Sequence, residues 1–404
     1  MNVRRSAVAL AAVGVLAAAA PATAAGQSPT PSPKVAIPSG LYGTSDPTYD
    51  GVWRQSLTLI AQRTLGYRPA ATAVAWLAGQ QCANGAFAAF RATPAKACDG
   101  KVMVDTNSTA AAVQALRAVG GHEDAVGKAV DWLKSVQNKD GGWGYSPGGA
   151  SDTNSTSVVV GALAVTGADP AKVNKAGRSP YDLLAAMSLP CDQDGGGALA
   201  YQPDKKGRSA ANADATAAGV LGALGKGFVA EAGKAPVQAS CVKTGRPSPA
   251  RVADNAGAYL AAAVDRSGHL LSTLPGAKDQ PDFGNTADTV VALAADGRTE
   301  QAKKTYGWLE KNAGQWAVQS GPAAYAQLIL AAHAVGAQPG DFGGTSLVRS
   351  LNELGPAPHM DSAAPATKKA DGGSSFGVWW FVGVCLVAGI GIGFLLSGRK
   401  KRQP

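Results

Sequence analysis

The chain has little of what most chemistry needs. Its 404 residues hold only four histidines, His122, His269, His333 and His359, scattered and without the spacing of metal ligands, so no histidine-based zinc centre can be assembled from neighbouring positions. Charged residues make up 16% and aromatics 6%. The formal charge of +9 misleads, because Arg4 and Arg5 at one end and Arg399, Lys400, Lys401 and Arg402 at the other account for six of it. The remaining +3 is spread without a basic block, which excludes the concentrated Lys/Arg face that nucleic acid binding requires. Strand-like alternation is almost absent. What is present is alanine, glycine and helical periodicity.

Both ends read as targeting segments. Residues 1–25 carry Arg4-Arg5, an apolar run and a small-residue end at Ala22-Thr23-Ala24-Ala25, the pattern of a secretory signal. Residues 376–397 form an uncharged stretch long enough to span a bilayer, followed by a basic tail at 398–404; no LPxTG precedes it. Residues 26–40 and 356–375 are Pro/Ser/Ala/Gly-rich linkers. The expectation is a single-pass protein of the cell membrane, with domain 41–355 outside and the C-terminus cytoplasmic.

That domain repeats itself. Val130–Gly167 contains an amphipathic helix pattern ending at Asp140-Gly141-Gly142, then a polar cluster, Asp152-Thr153-Asn154-Ser155-Thr156, opening a helix that is apolar all round. Asp105-Thr106-Asn107-Ser108-Thr109 matches that cluster residue for residue, and looser versions stand at 212–216 (Asn212, Asp214) and 285–289 (Asn285, Asp288). Trp76, Trp132 and Tyr259 each precede a glycine, Gly85, Gly141 and Gly268, at one fixed distance. Such self-similarity marks a repeat architecture, since one helix pair cannot bury its apolar face alone. Buried-type helices are expected near 51–66, 105–120, 154–167, 212–226, 286–297 and 322–336. Amphipathic ones are expected near 70–81, 127–138, 180–189, 250–264, 300–312 and 345–354. Six of each alternate, which makes the fold class all-α, an (α/α)6 toroid of six inner and six outer helices.

Cysteine usage fits an exported scaffold. Cys385 lies in the apolar 376–397 run, leaving Cys82, Cys98, Cys191 and Cys241, an even number in an oxidising compartment. Three pairings are open. Cys82 and Cys98 flank one outer-to-inner connection and are paired on that ground; Cys191–Cys241 follows by elimination, although Cys241 is expected to leave the barrel at the opposite end.

Gln137-x3-Gly141-x-Trp143 and Gln81-x3-Gly85-x-Phe87 resemble the QW-type repeat of prenyltransferases and squalene-type cyclases, a superfamily that includes complement-like thioester domains and the B12 carriers transcobalamin and intrinsic factor. Later repeats depart from it: 192–197 continue to leucine where tryptophan should stand, and the last compresses to Gly314-Gln315-Trp316. The chemistry of the superfamily's enzymes leaves no plain trace. Class II terpene cyclases protonate an alkene with the central acid of Asp-x-Asp-Asp, whereas Asp192-Gln193-Asp194 is followed by glycine. No Gly-Cys-Gly-Glu-Gln thioester run occurs, and His333 on a late inner helix reads as a satisfied core histidine.

The polar helix starts remain. Parallel inner helices bring Asp105, Thr106, Asn107, Asp152, Thr153, Asn154, Asn212, Asp214, Asn285 and Asp288 to one mouth. Capping accounts for many of them, but a cap needs one such residue and DTNST supplies five, twice. The surplus reads as ligand-binding, with Tyr145 at the rim; Tyr49 and Trp53 could line the rim as well, and Trp143 is assigned to packing the glycine turn. The Asp-Thr-x-x-x-Ala openings resemble those of the B12 carriers, which implies a bound corrinoid, no other cofactor, and a non-catalytic surface protein that captures a small molecule for a membrane uptake system. A separate β-domain protein would have to supply the missing lid. The alternatives are a glycan-active hydrolase or lyase using Asp50, Asp152 and Asp288, a prenyl- or terpenoid-handling enzyme lacking the usual motifs, and a plain scaffold.

Overall fold

The computed structural model describes residues 35–234, 238–272 and 279–360; the expected signal segment and membrane span lie outside these residues. In chain order the helices are α1 (Gly51–Thr64), α2 (Ala71–Gly79), α3 (Thr106–Val119), α4 (Glu123–Ser135), α5 (Thr153–Val165), α6 (Pro180–Met187), α7 (Ala213–Ala223), α8 (Pro249–Asp265), α9 (Phe283–Ala295), α10 (Thr299–Asn312), α11 (Gly314–Ser320), α12 (Pro322–Val335) and α13 (Leu347–Asn352). Helices α1, α3, α5, α7, α9 and α12 pack each on the next, and α12 packs back on α1, closing a ring of six. The other long helices ring it from outside. Strands are confined to antiparallel two-residue ladders, such as Phe87–Ala88 with Val104–Asp105. Among the described residues no helix is long and apolar enough to cross a membrane.

Inner helices are buried on every face because their residues are small or apolar all round. In α5 all positions but Ala164 are buried, polar Ser157 included. Outer helices show the opposite pattern, with α4 burying only Val126, Ala129, Val130, Trp132 and Leu133.

The repeat motif has a local physical cause. Gln81 donates through Nε2 to the carbonyls of Gly85 at 3.0 Å and Ala125 at 2.8 Å; Gln137 does the same to Gly141 at 2.8 Å and Val173 at 3.3 Å. The glutamine thus holds the turn against the next repeat. Gly85 and Gly141 have φ of +93° and +91°, and a Cβ on either would run into a backbone carbonyl, that of Lys128 or Ser179, so only glycine fits. Trp143, fully buried, donates from Nε1 to Leu133 O at 2.7 Å.

A second recurrence aligns the repeats. The backbone N–H groups of Phe87, Trp143, Leu199 and Leu270 donate to the hydroxyls of Thr109, Thr156, Thr216 and Thr286 at 2.9, 3.0, 2.9 and 3.0 Å. Leucine therefore replaces the tryptophan in two repeats without loss of register. This alignment corrects the expected start of α9: the cap is Asp282, with Asn285 three residues inside and Asp288 a turn deeper. The compressed motif at Gly314 is not a turn of this type but the short helix α11.

Both disulfides are formed, Cys82–Cys98 and Cys191–Cys241, each with Cα atoms 5.6 Å apart. The expectation that Cys241 leaves at the far end fails because the connection after α7 runs back along α8. Val242 and the Asn255 side chain exchange hydrogen bonds there, at 2.9 and 3.1 Å.

Candidate functional site

At the N-terminal end of the inner ring lies a cavity of about 900 Å³. Helices α1, α3 and α12 supply its wall through Trp53, Asp105, Asn107 and Ala323; Tyr145 and Tyr201 reach in from the loops entering α5 and α7. Its outer side is residues 88–104, with Phe90, Lys96, Lys101 and Met103. Tyr49, Tyr145 and Met103 are the exposed apolar side chains of the rim, Met103 at 82%.

The outer wall is built by a residue that the sequence reading missed. Arg91 is buried and donates to the carbonyls of Gly79, Gln80, Gln81, Pro94 and Lys96. With five carbonyls gathered on one guanidinium and Cys98 tied to Cys82, the segment is held across the cavity. A lone arginine amid alanine and phenylalanine was the available signal.

Asp105 is the carboxyl best placed for chemistry. Its Oδ1 caps α3, accepting from Ser108 N at 2.6 Å, while the buried Oδ2 has no partner. Burial raises its pKa from 3.8 to about 6, opposed by the hydrogen bond from the Ser108 backbone. Asp152 is its sequence twin but differs in use: its two oxygens accept from Ser155 N at 2.6 Å and Ser155 Oγ at 2.8 Å. Burial pushes Asp152 to about 6 as well. Desolvation also holds the Tyr145 phenol well above its usual range, with the Asp105 charge adding to it.

The remaining expected site residues divide. Asp105, Asn107 and Tyr145 line the cavity. Thr106 and Thr153 tie their helix starts to the loops of the next repeats, donating from backbone N to Tyr145 O at 2.8 Å and Tyr201 O at 3.1 Å. Asn154 is fully buried and donates to Asp214 Oδ2 at 2.9 Å. Burial raises the Asp214 pKa to about 7, Asn154 opposing and the Asp282 and Asp152 charges adding. Asn212 caps α7, accepting from Ala215 N at 2.7 Å. Asn285 donates to its own cap, Asp282, at 2.8 Å, and Asp288 accepts from Gln327 at 3.2 Å. These groups follow the barrel wall from α5 to α12 and do not line the cavity. Two further expectations change. The acids proposed for glycan cleavage are not brought together, since Asp50 pairs with Arg54 at 3.2 Å while Asp152 and Asp288 are held on α5 and α9. His333 is half-buried, and its buried Nε2 has no hydrogen-bond partner.

Residues 103–168, from the start of α3 through α5, match the family model of the squalene-hopene cyclase C-terminal domain. The ring of six inner helices is an α/α toroid, and the matched segment supplies two of them. A stretch of 80 residues is 41% identical to a drimenyl diphosphate synthase from Streptantibioticus cattleyicolor, covering 20% of this chain and 13% of that protein. Among solved structures, the toroid is similar to an ent-copalyl diphosphate synthase from Streptomyces platensis, at 17% identity and a TM-score of 0.47 over 71% of this chain and 50% of that one. A type II terpene cyclase from Scytonema is similar at 15% identity and a TM-score of 0.44, over 67% and 72% of the two chains. The chain thus spans only a small part of the drimenyl diphosphate synthase and half of the copalyl diphosphate synthase. The squalene-hopene cyclase match and the drimenyl diphosphate synthase relative overturn the expected non-catalytic corrinoid binder. The matched segment contains both DTNST openings, the pattern that resembled the B12 carriers.

Proposed function

We propose that the toroid is a terpenoid-handling enzyme that acts on a prenyl chain by proton transfer, with Asp105 as the acid. The observation that carries this reading is the unpartnered, buried Oδ2 of Asp105, a residue in the wall of a cavity that Trp53, Phe90, Tyr145 and Tyr201 also line. An acid raised to about 6 holds a proton near neutrality without water to compete for it. In the proposed step its O–H bond breaks and a C–H bond forms from the alkene π pair, leaving a tertiary cation. A second π bond of the same chain captures that cation, a proton lost from carbon passes to water, and Asp105 regains one from solvent, which closes the balance as a net isomerisation. The faces of Trp53, Tyr145 and Tyr201 would stabilise the intermediate charge through their quadrupoles.

Lys96 and Lys101 stand on the outer wall of the cavity, where an anionic head group such as a diphosphate would find them while the chain enters the apolar part. The squalene-hopene cyclase match and the drimenyl diphosphate synthase relative support a prenyl substrate class. Asp105 lacks the flanking carboxylates of Asp-x-Asp-Asp: with Asp105 as the central acid, Met103 and Thr106 stand in their places. Held outside the cell by residues 376–397, the toroid would draw its prenyl substrate from the adjoining bilayer.

The test is incubation of the full chain with farnesyl and geranylgeranyl diphosphate, with products separated after phosphatase treatment. Cyclised isomers that disappear in Asp105→Asn support the proposal; unchanged substrate with wild-type protein, or full activity in Asp105→Asn, refutes it.

A further inference from the structure

The barrel wall from α5 to α12 carries more acid than its helix starts need. Two residues past the N-caps Asp152, Asn212 and Asp282 stand Asn154 in α5, Asp214 in α7 and Gly284 in α9, equivalent positions of successive inner helices. This position faces the inside of the ring. Gly161, two turns beyond Asn154 on the same face of α5, lies against Gly227. The next residue, Phe228, accepts its place from Gln114 of α3 and meets Trp53 of α1 edge to face, and the enclosed side of the ring is where one segment reaches all three helices. Asp288 and Gln327 stand one turn further in, beneath Gly284 of α9 and Ala323 of α12.

The groups turned inward here are acceptors, or donors already used. Asn154 is fully buried; its Nδ2 donates to Asp214 Oδ2 at 2.9 Å, and its Oδ1 has no partner. Since both atoms belong to one amide, that orphan oxygen sits beside the Asp214 carboxyl. A buried acceptor left in this way calls for a donor or an ion. Gln327 Nε2 lies 3.2 and 3.3 Å from the two Asp288 oxygens. Gly284 puts no side chain above Asp288, and a Cβ built on it would come no closer than 3.6 Å to Trp316 and 3.9 Å to Gln327, so there is room. Four carboxyls, Asp152, Asp214, Asp282 and Asp288, belong to the first two turns of α5, α7 and α9 or to their caps, and a helix N-terminus offsets only about half a charge. The charges that reach Asp214 are those of Asp282 and Asp152, both negative.

We infer that the barrel binds a divalent cation of the calcium type, held by the Asp214 and Asp288 carboxylates and the Asn154 side-chain oxygen, with water completing its shell. Among the described residues no three acidic, histidine or cysteine side chains are gathered as a metal cluster, so an amide oxygen has to complete the set. Oxygen donors alone select a hard ion, and calcium tolerates irregular geometry where magnesium demands a regular octahedron. The ion would tie α5, α7 and α9 together and relieve the repulsion among their carboxyls. The site shares no residue with the proton donor Asp105 and does not depend on the terpenoid reading.

The experiment is calorimetric titration of the full chain, stripped with EDTA, with calcium chloride and with magnesium chloride at constant ionic strength, alongside thermal melts. Wild type should take up a single calcium, melt higher with it, and bind magnesium more weakly. Asp214→Asn keeps an acceptor for Asn154 and should weaken calcium by about tenfold or more. In EDTA that variant should melt no lower than wild type, because it sheds a carboxylate that has no counter-charge. Asp288→Asn should weaken calcium likewise, and decides the matter if Asp214→Asn does not fold. Wild type that neither binds calcium saturably nor melts higher with it overturns the site. So does calcium affinity unchanged in both variants, which would place the ion elsewhere on the chain.

Discussion

Asp105→Asn separates the two tasks that one carboxyl performs. Asparagine caps a helix about as well as aspartate, so the hydrogen bond from Ser108 N survives. What changes is the titration. Wild-type Asp105 holds its proton up to about pH 6 in the folded chain and only to 3.8 when exposed. Between those values the folded state binds more protons than the unfolded one, so this group contributes stability that is fully present below 3.8 and is lost as pH rises to about 6. About two units at 1.36 kcal/mol each amount to about 3 kcal/mol. Asp105→Asn lacks this dependence but leaves an amide N–H unpartnered where Oδ2 stood, at a cost of about 1–3 kcal/mol. Urea melts should therefore show the variant about 1–3 kcal/mol less stable than wild type at pH 4 and close to it, or above it, at pH 8. Turnover should fall by on the order of 10²–10⁴ below about pH 6, and wild-type turnover should decline above that pH as the donor ionises, which narrows the difference. Asp105→Ala should instead lose about 1 kcal/mol of cap at both pH values in addition. A stability difference between Asp105→Asn and wild type that does not move with pH would show that the carboxyl is not desolvated, and retained turnover would show that it is not the acid.

Three further outcomes are expected. Cys82→Ser should lower stability by about 3 kcal/mol in the chain-entropy model for this 16-residue separation, and protease should then cut first between 91 and 103, which limited proteolysis with mass spectrometry would locate. Trp143→Ala should cost about 3–5 kcal/mol because the ring is fully buried and hydrogen-bonded, while Tyr145→Ala, at the rim, should leave the melting temperature nearly unchanged; equal losses would contradict the split between packing and rim. Replacing Lys96 and Lys101 together by alanine should raise KM for prenyl diphosphates by about tenfold with kcat little changed, since exposed charges at a mouth contribute binding more than chemistry; an unchanged KM would move the head-group site elsewhere.

The architecture was legible because toroid repeats write their constraints locally. A helix buried on all faces has no polar stripe, its amphipathic partner has one, and the glycine with positive φ and the glutamine that pins it recur in register. Positions fixed by that local logic, such as Trp143, were read correctly. The start of α9 was misplaced because Asp282-Phe283-Gly284 carries no DTNST signature and the Thr286 hydroxyl that aligns it is visible only once Leu270 is seen to donate to it. Leucine gives no sign in sequence that it stands in for tryptophan.

The candidate site was harder to read, for a reason that follows from capping itself. Identical clusters at 105–109 and 152–156 looked equivalent, yet the Asp152 carboxylate is filled by two donors from Ser155 and the Asp105 carboxylate by one donor from Ser108. Sequence fixes that each helix start is polar; it does not fix which start faces open space. That depends on what packs above it. Over both helices the next repeat's loop closes on the first residue, through Thr106 N to Tyr145 O and Thr153 N to Tyr201 O; over α5 the Thr153 hydroxyl also donates to Ala200 O, whereas the Thr106 hydroxyl has no partner and the disulfide-held 91–103 segment borders the cavity beside α3. The proposed acid is therefore set apart from its twin by the Arg91-held segment, together with the Cys82–Cys98 bridge, and not by its own motif.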